Sequence, residues 1–500
     1  MPSTGYWYAE FTINTLPYPS GNNNMLGIVL ANATANAPPI GTYFGYNSTE
    51  YSYLDAGGFR TNNTTSQTAS AWAANDVIMI ALGNGNVWFG RNGVWQGSGS
   101  PNPATATSPA YTGLNGNYQF AGNTYGGGYG GQISANFGQR AWQYTPPAGY
   151  QALTTKNFQR PTITPNQHFA ANTWTQGTTD VTIVNTGGFQ PDLVWIKARN
   201  NAQNHYLIDS VRGATSLLRS NAATAESTGS TWVTFNSNGF VPSSANTVTN
   251  TYTYVAWQWK AGGTAVTNNV GTISAQVSAN TTSGFSIITY TGNGATTATV
   301  GHGLNATPSF VLYKGRTAAA GDQNWVAMHT SLGTGNYIYL NSTNASTAFS
   351  TAFPWTSTTI SANTTFNTSG ATYVAYCWAE TPGFSKFGTY AGNSSTDGPF
   401  IYCGFTPAMV IIKGTFSAAA SQWYVYDNGR DPAANPLLNR LLLNTTDADT
   451  NGTSTDIDFV SNGFKLRYPA GGGGLNSTGS NYIYMAFAAS PFGNANGTAR

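Results

Sequence analysis

The chain has 500 residues, too many for one core, and only 7% of them are charged, with a net charge of +2; an ordinary soluble domain carries roughly 25%. The low charge and the lack of a basic run exclude a protein built to hold a phosphate backbone. They also leave a surface with little for salt to screen. The 58 Gly and 23 Pro, with abundant Asn, Thr and Ser, disfavour helices and favour strands and turns.

Residues 1–157 read as an all-β sandwich of short antiparallel strands. Trp7–Ile13 alternates like a half-buried strand, and Met25–Leu30 and Asp76–Leu82 follow as strands. After Gly83-Asn84-Gly85 comes Asn86–Gly90, then Arg91-Asn92-Gly93 and Val94–Gly97. An Asn-Gly pair between two strand-like runs is a strong hairpin signal. Ile133–Gly138 closes the sheet, and Tyr144–Tyr150 leads out as an extended segment. Residues 158–167 (Phe158 to Gln167) form a Pro-containing linker.

Beyond the linker one heptapeptide frame occurs three times: Pro191-Asp192-Leu193-Val194-Trp195-Ile196-Lys197, Pro308-Ser309-Phe310-Val311-Leu312-Tyr313-Lys314 and Pro407-Ala408-Met409-Val410-Ile411-Ile412-Lys413. An unbroken apolar run of this length describes a buried strand. Pro suits its first position because it cannot donate to a ladder. Lys at the end is expected to lay its stem on the sheet and put its ammonium in water.

Other landmarks recur in the same order. Asn204–Asp209 matches Asn324–His329 and Gln422–Asp427, and Leu218–Ala225 matches Ile338–Ala345 and Leu441–Ala448. Phe235–Phe240 returns as Phe459–Phe464. Aromatic closing strands are read at Tyr254–Trp259, Tyr373–Trp378 and Tyr484–Ala489, and large residues on both faces make them central. The units are duplicated domains, not solenoid coils. The expected architecture is four tandem antiparallel β-sandwiches: 1–157, then repeats at 168–265, 266–383 and 384–500. Asn221, Asn341 and Asn444, each after a Leu-rich strand, are expected to make side-chain-to-backbone turns.

Two resemblances follow from these residues. Gly5-x-Trp7-Tyr8-x-Glu10, Gly27-Ile28, Asp76-x-Ile78, Trp88-Phe89-x-x-Asn92-Gly93 and Asn136-Phe137-Gly138-Gln139 together resemble a SPRY domain. The pattern departs from that family where Met25-Leu26 replace a Trp, and little chain precedes Gly5. The resemblance implies a binding module that works through loops at one end of the sandwich. Residues 168–500, with Pro491-Phe492 and Ala499-Arg500 near the end, resemble the C-terminal part of virion structural proteins of tailed, particularly marine, bacteriophages. That implies a virion location. Met1 is followed at once by Pro2-Ser3-Thr4-Gly5, without a secretory leader pattern, so release inside a particle is the expected way out of the cell. No apolar run reaches transmembrane length.

Residues that could do chemistry are sparse. The four histidines, His168, His205, His302 and His329, lack metal-ligand spacing and read as structural, with His205 and His329 on equivalent strands. No carboxylate pair stands out, although a glycosidase pair would come from distant segments. Gly126–Gly131 and Gly471–Gly474 lack the Lys-Ser/Thr and helix of a phosphate loop. Asp447-Ala448-Asp449-Thr450-Asn451-Gly452 echoes a calcium loop but lacks its last glutamate. Lys197 and Lys413 are placed to pair with Asp209 and Asp427, with His329 in the acid's place in the second repeat. Cys377 and Cys403 read as buried thiols, and their spacing leaves a disulfide open.

No catalytic residue, metal ligand or cofactor is assigned. With 14 Trp and 29 Tyr beside amides and hydroxyls, the surface suits uncharged glycans, which combine apolar faces with hydroxyl groups. The candidate binding residues are the loop aromatics Tyr43, Phe44, Tyr51, Tyr53, Tyr125 and Tyr129. The expected role is a virion surface protein, a fibre, spike or capsid fibre, that attaches to a host glycan or protein. Its expected partners are other virion proteins and copies of itself, as a trimer. A decoration protein without host ligand is the alternative, and a virion-associated polysaccharide hydrolase ranks third.

Overall fold

The computed structural model describes residues 5–16, 24–30, 48–66, 69–116, 118–124, 131–153, 163–320, 323–349, 353–416, 421–450, 456–467 and 474–491. The fold is all-β: antiparallel sheets dominate and no α-helix occurs among the described residues. The chain divides into two compact units, 1–159 and 160–500.

In the first unit, one sheet runs in the order Gln132–Asn136, Tyr6–Thr15, Val77–Gly83, Asn86–Arg91 and Val94–Trp95. The other runs Thr64–Ser66, Phe59–Thr61, Glu50–Leu54, Asn24–Leu30 and Tyr118–Thr124. Asn84-Gly85 and Asn92-Gly93 turn the two hairpins of the first sheet, and all four residues have positive φ, as a type I′ turn requires. Alternate residues of both sheets, among them Trp7, Phe11, Ile28, Tyr53, Phe59 and Phe89, meet in one core.

In the second unit three repeats share one sheet order: opening strand, closing strand, Pro-led strand, following strand. In the first repeat these are Phe169–Thr175, Thr253–Trp259, Leu193–Ala198 and Tyr206–Asp209. In the second they are Phe285–Thr291, Thr372–Trp378, Phe310–Gly315 and Val326–His329. In the third they are Ser385–Ala391, Asn481–Pro491, Phe405–Gly414 and Trp423–Asp427. A small second sheet covers one face of each, built on Gly239–Pro242, Thr359–Asn363 and Gly463–Leu466.

Strand register aligns the repeats residue by residue. Leu193, Phe310 and Met409 lie opposite Trp259, Trp378 and Phe487. The third closing strand is therefore shifted by two residues from its expected alignment: Tyr482, not Tyr484, corresponds to Tyr254 and Tyr373. The phenol oxygens agree. Tyr254, Tyr373 and Tyr482 each accept the backbone N–H five residues earlier, from Thr249, Thr368 and Ser477.

Each large sheet is buried on both faces, which is why its strands read as unbroken apolar runs. Val194, Ile196 and Ala256 pack under the small sheet of their own repeat. Leu193, Trp195, Trp257 and Trp259 face the other way, into a core shared by all three repeats. Trp259 stands at the middle of that core, with its ring 6.1 Å from Trp378 and 5.6 Å from Phe487. The repeats thus form one body around a common centre and are not three separate compact domains.

Candidate functional site

Tyr43, Phe44, Tyr125 and Tyr129 lie outside the described residues. The other two expected binding aromatics belong to the core. Tyr53 is fully buried, its ring against Phe59, Trp72 and Phe89 and its hydroxyl donating to Ser70 O. Tyr51 is half-buried, with its ring 5.0 Å from Tyr111 and 6.2 Å from Tyr118. Period-2 alternation explains both: in Glu50–Leu54 successive side chains go to opposite faces and neither reaches a loop tip. The first unit's buried acids serve structure as well. Glu10 accepts the N–H groups of Gln143 and Tyr144 at 2.9 and 2.8 Å. Burial alone would raise Asp76, but hydrogen bonds from Ala73 N–H, Asn92 and Arg91 outweigh it and hold the carboxyl below its usual range.

The chemistry of the second unit is concentrated between repeats. His205, Trp325 and Trp423 hold equivalent positions at the start of the following strand. Trp325 Nε1 donates to Arg219 O of the first repeat at 2.7 Å, and Trp423 Nε1 to Tyr339 O of the second at 2.9 Å. His205 Nε2 pairs with Leu442 O of the third at 3.0 Å. These three bonds close a ring. A second ring follows the backbone: Glu226 N–H to Arg316 O, Ser346 N–H to Thr415 O and Asp449 N–H to Arg199 O.

Two of the three interfaces bury balanced charges. In the first, Arg212 Nε donates to Asp209 at 2.5 Å, its Nη1 reaches Glu226 at 3.0 Å, and Arg316 of the second repeat closes on Glu226 at 2.8 Å. Tyr376 of the second repeat donates to Asp209 at 2.7 Å. Asp427, Arg430, Asp449 and Arg199 repeat this pattern between the third and first repeats, with Trp257 Nε1 donating to Asp427 at 3.0 Å. Burial would lower the pKa of Arg212 and Arg430, but their carboxylate partners outweigh it and keep both firmly charged. The remaining interface lacks this buried cluster: His329, Ser346 and Thr415 stand where the others have Asp, an acid and Arg, and its ion pair is the partly exposed Lys386–Glu380 at 2.6 Å.

These contacts correct the expected lysine pairs. Asp209 and Asp427 pair with Arg212 and Arg430, and Lys197 and Lys413 lie at the other end of the strand. Nor do the ammonium groups reach water, since Lys197, Lys314 and Lys413 are all 0% exposed. Lys197 Nζ donates to Ala198 O at 2.7 Å, and Lys413 Nζ to Ser421 Oγ at 2.6 Å and, across repeats, to Asn344 O at 3.2 Å. Burial pulls Lys197 down to about 8 and Lys413 to about 7.

His205 and His329 are fully buried and hydrogen-bonded within the fold, and they sit at opposite ends of their equivalent strands. In His329, Nδ1 accepts Ser331 N–H at 3.0 Å and Nε2 donates to Tyr484 O at 3.2 Å. This fixes the neutral tautomer, and burial pulls the ring down to about 4. Asn221, Asn341 and Asn444 do make side-chain-to-backbone bonds, but across strands: each accepts the N–H of His205, Trp325 or Trp423. Asp449, in the calcium-like stretch, is taken by Arg199 and Arg430. Cys377 and Cys403 are free, buried thiols.

A cavity lies in the first repeat, between the Pro-led strand and the segment 244–250. Its volume is about 250 Å³ and its lining is mostly polar: Gln203, Asn204, Tyr206, Ser244, Asn246, Thr247, Thr249, Asn250 and Tyr254, with Ile196, Ala198, Ala245 and Val248. None of these side chains is ionised at neutral pH. Lys197 is held away because successive side chains of the strand alternate. The sequence reading missed this cavity. The usable signal was a size difference at aligned positions, visible only once Tyr254, Tyr373 and Tyr482 are matched.

Residues 164–491, from the turn before the first repeat to the end of the last strand, match the family described as Domain of unknown function (DUF7483). The chain belongs to this family. The DUF7483 match spans all three repeats. No curated protein matches the chain.

Proposed function

We propose that this DUF7483 protein is a bacteriophage virion surface protein, part of a fibre, spike or capsid fibre, that attaches to the host surface through its β-sandwich domains. The observation that supports it most is the closed ring of repeats. Three sheets locked around one buried core, with charged groups consumed between them, make a rigid element with a low-charge exterior. That suits a particle component working at variable salt. The resemblance of residues 168–500 to tailed-phage virion proteins points the same way. In this reading the chain binds and builds rather than catalyses, and whole chains associate as a trimer.

The test is adhesion of the purified full-length chain to host bacteria, with competition against phage adsorption, and immunogold labelling of particles. Saturable adhesion that blocks adsorption supports attachment. Labelled particles without adhesion would make the protein a decoration subunit. Absence from particles would overturn the virion reading.

A further inference from the structure

We infer that the first-repeat cavity is a binding site for one neutral sugar residue of a glycan. The inference rests on the attachment reading above and names the chemistry of its contact.

Comparison within the chain carries the argument. Ile196 in the first repeat corresponds to Tyr313 and Ile412, as their register opposite Ala256, Ala375 and Tyr484 shows. Seven residues before each matched tyrosine stand Thr247, Phe366 and Leu475. The second repeat fills this space with Tyr313 stacked on Phe366 at 4.6 Å. The third fills it with Tyr484 and buried Leu475, and Phe416 covers Tyr482 at 5.6 Å. The first repeat has Ile196, Ala256 and Thr247 at these positions. It alone of the three lacks a large side chain at every one, and a cavity of about 250 Å³ results.

The lining then selects the ligand. No ionised side chain is among the lining residues, and the nearby charges are already engaged, Asp180 on Ser244 N–H and Arg219 over the Tyr206 ring, so a charged ligand would lose its hydration for little in return. An apolar one would cover polar groups that need partners. The Gln203 and Asn250 side chains make no hydrogen bond to the described residues, and Asn246 commits only its Nδ2, to Thr231 O and Ser243 Oγ. Tyr254 is buried and stacked on Trp174, so the aromatic surface offered is the half-buried Tyr206, whose ring also carries the Arg219 guanidinium at 5.8 Å; free amides beside it match the hydroxyls and apolar face of a pyranose. Drug-sized ligands occupy about 300–1,000 Å³, so this cavity suits a single sugar residue.

The experiment is saturation-transfer NMR and calorimetric titration of the full-length chain with glucose, galactose and N-acetylglucosamine, with galacturonate and a neutral tripeptide as controls. At least one neutral sugar is expected to bind saturably. Ile196→Tyr/Thr247→Phe, which installs the second repeat's own filling but also removes the buried Thr247 hydroxyl's bond to Trp232 O, should weaken it by about tenfold or more. The exposed Asn250→Ala and half-buried Gln203→Ala, which disturb no packing, should each weaken it several-fold. Binding of no neutral sugar, tighter binding of galacturonate or the tripeptide, or unchanged affinity in Asn250→Ala and Gln203→Ala would overturn the proposal. Sugar binding by a chain that does not adhere to cells would refute the attachment reading alone. Adhesion that survives Asn250→Ala and Gln203→Ala, with no sugar bound, would refute the cavity alone.

Discussion

The indole nitrogen of Trp325 lies 2.7 Å from the carbonyl oxygen of Arg219, in the preceding repeat. Trp378, also buried in the shared core, has an indole N–H with no acceptor among the described residues. The two tryptophans allow the same substitution to be made with and without a hydrogen bond at stake. Trp→Phe at either site removes volume, but only at 325 does it also remove an inter-repeat bond. Trp325→Phe should therefore cost roughly 1 kcal/mol more than Trp378→Phe, the net worth of one hydrogen bond. Urea unfolding of both variants, compared at constant m, measures the difference.

Arg430 is buried against Asp427 and Asp449 at the junction of the third and first repeats. Arg430→Met leaves two carboxylates with only Arg199 to balance them. A buried pair broken from one side typically costs about 3–5 kcal/mol. The triple variant Asp427→Asn/Arg430→Met/Asp449→Asn removes the uncompensated charge and should recover part of that loss. Denaturant midpoints of the two variants check this, and equal losses would show that the charge is not what matters.

His329 gives the fold a defined acid sensitivity. Burial depresses its pKa from 6.5 to about 4. Between these values the unfolded chain holds a proton that the folded one does not. Folding stability therefore falls as pH drops from 6.5 to 4 and is flat with respect to this group on either side. The full effect is about 3 kcal/mol. His329→Gln, which can still donate to Tyr484 O, should flatten the pH dependence of Tm in that window. An unchanged slope would assign the acid response to other groups.

The sequence makes the Pro-led strands plain because both of their faces are buried. The same fact hides what covers the second face. Leu193 and Trp195 look alike whether they pack within their own sandwich or against Phe310 and Met409 of other repeats. Lys197 and Lys413 end their strands, where lysine ordinarily meets water, but backbone carbonyls at and just beyond those ends, and for Lys413 also Asn344 O of the neighbouring repeat, take up the ammonium groups. In the third repeat Tyr482-Ile483-Tyr484 offers two tyrosines two residues apart, and pattern alone cannot choose between them. For the same reason of alternation, Tyr53 reads as available although its face of the strand is the core. The first-repeat cavity was illegible because it consists of side chains that are smaller than their counterparts, and the counterparts are fixed only by register.

The account's central claim is that the three repeats fold as one body, and native-state hydrogen exchange on the full-length chain tests it most directly. Ile411→Val trims one methyl from the third repeat's contribution to the shared core, a change worth about 0.5–1.5 kcal/mol. The account predicts that the slowest amides of Leu193–Ala198, Phe310–Gly315 and Phe405–Gly414 all lose the same opening free energy, because they open together. A loss confined to Phe405–Gly414, with the other two strands unchanged, would contradict it and return the repeats to independent domains.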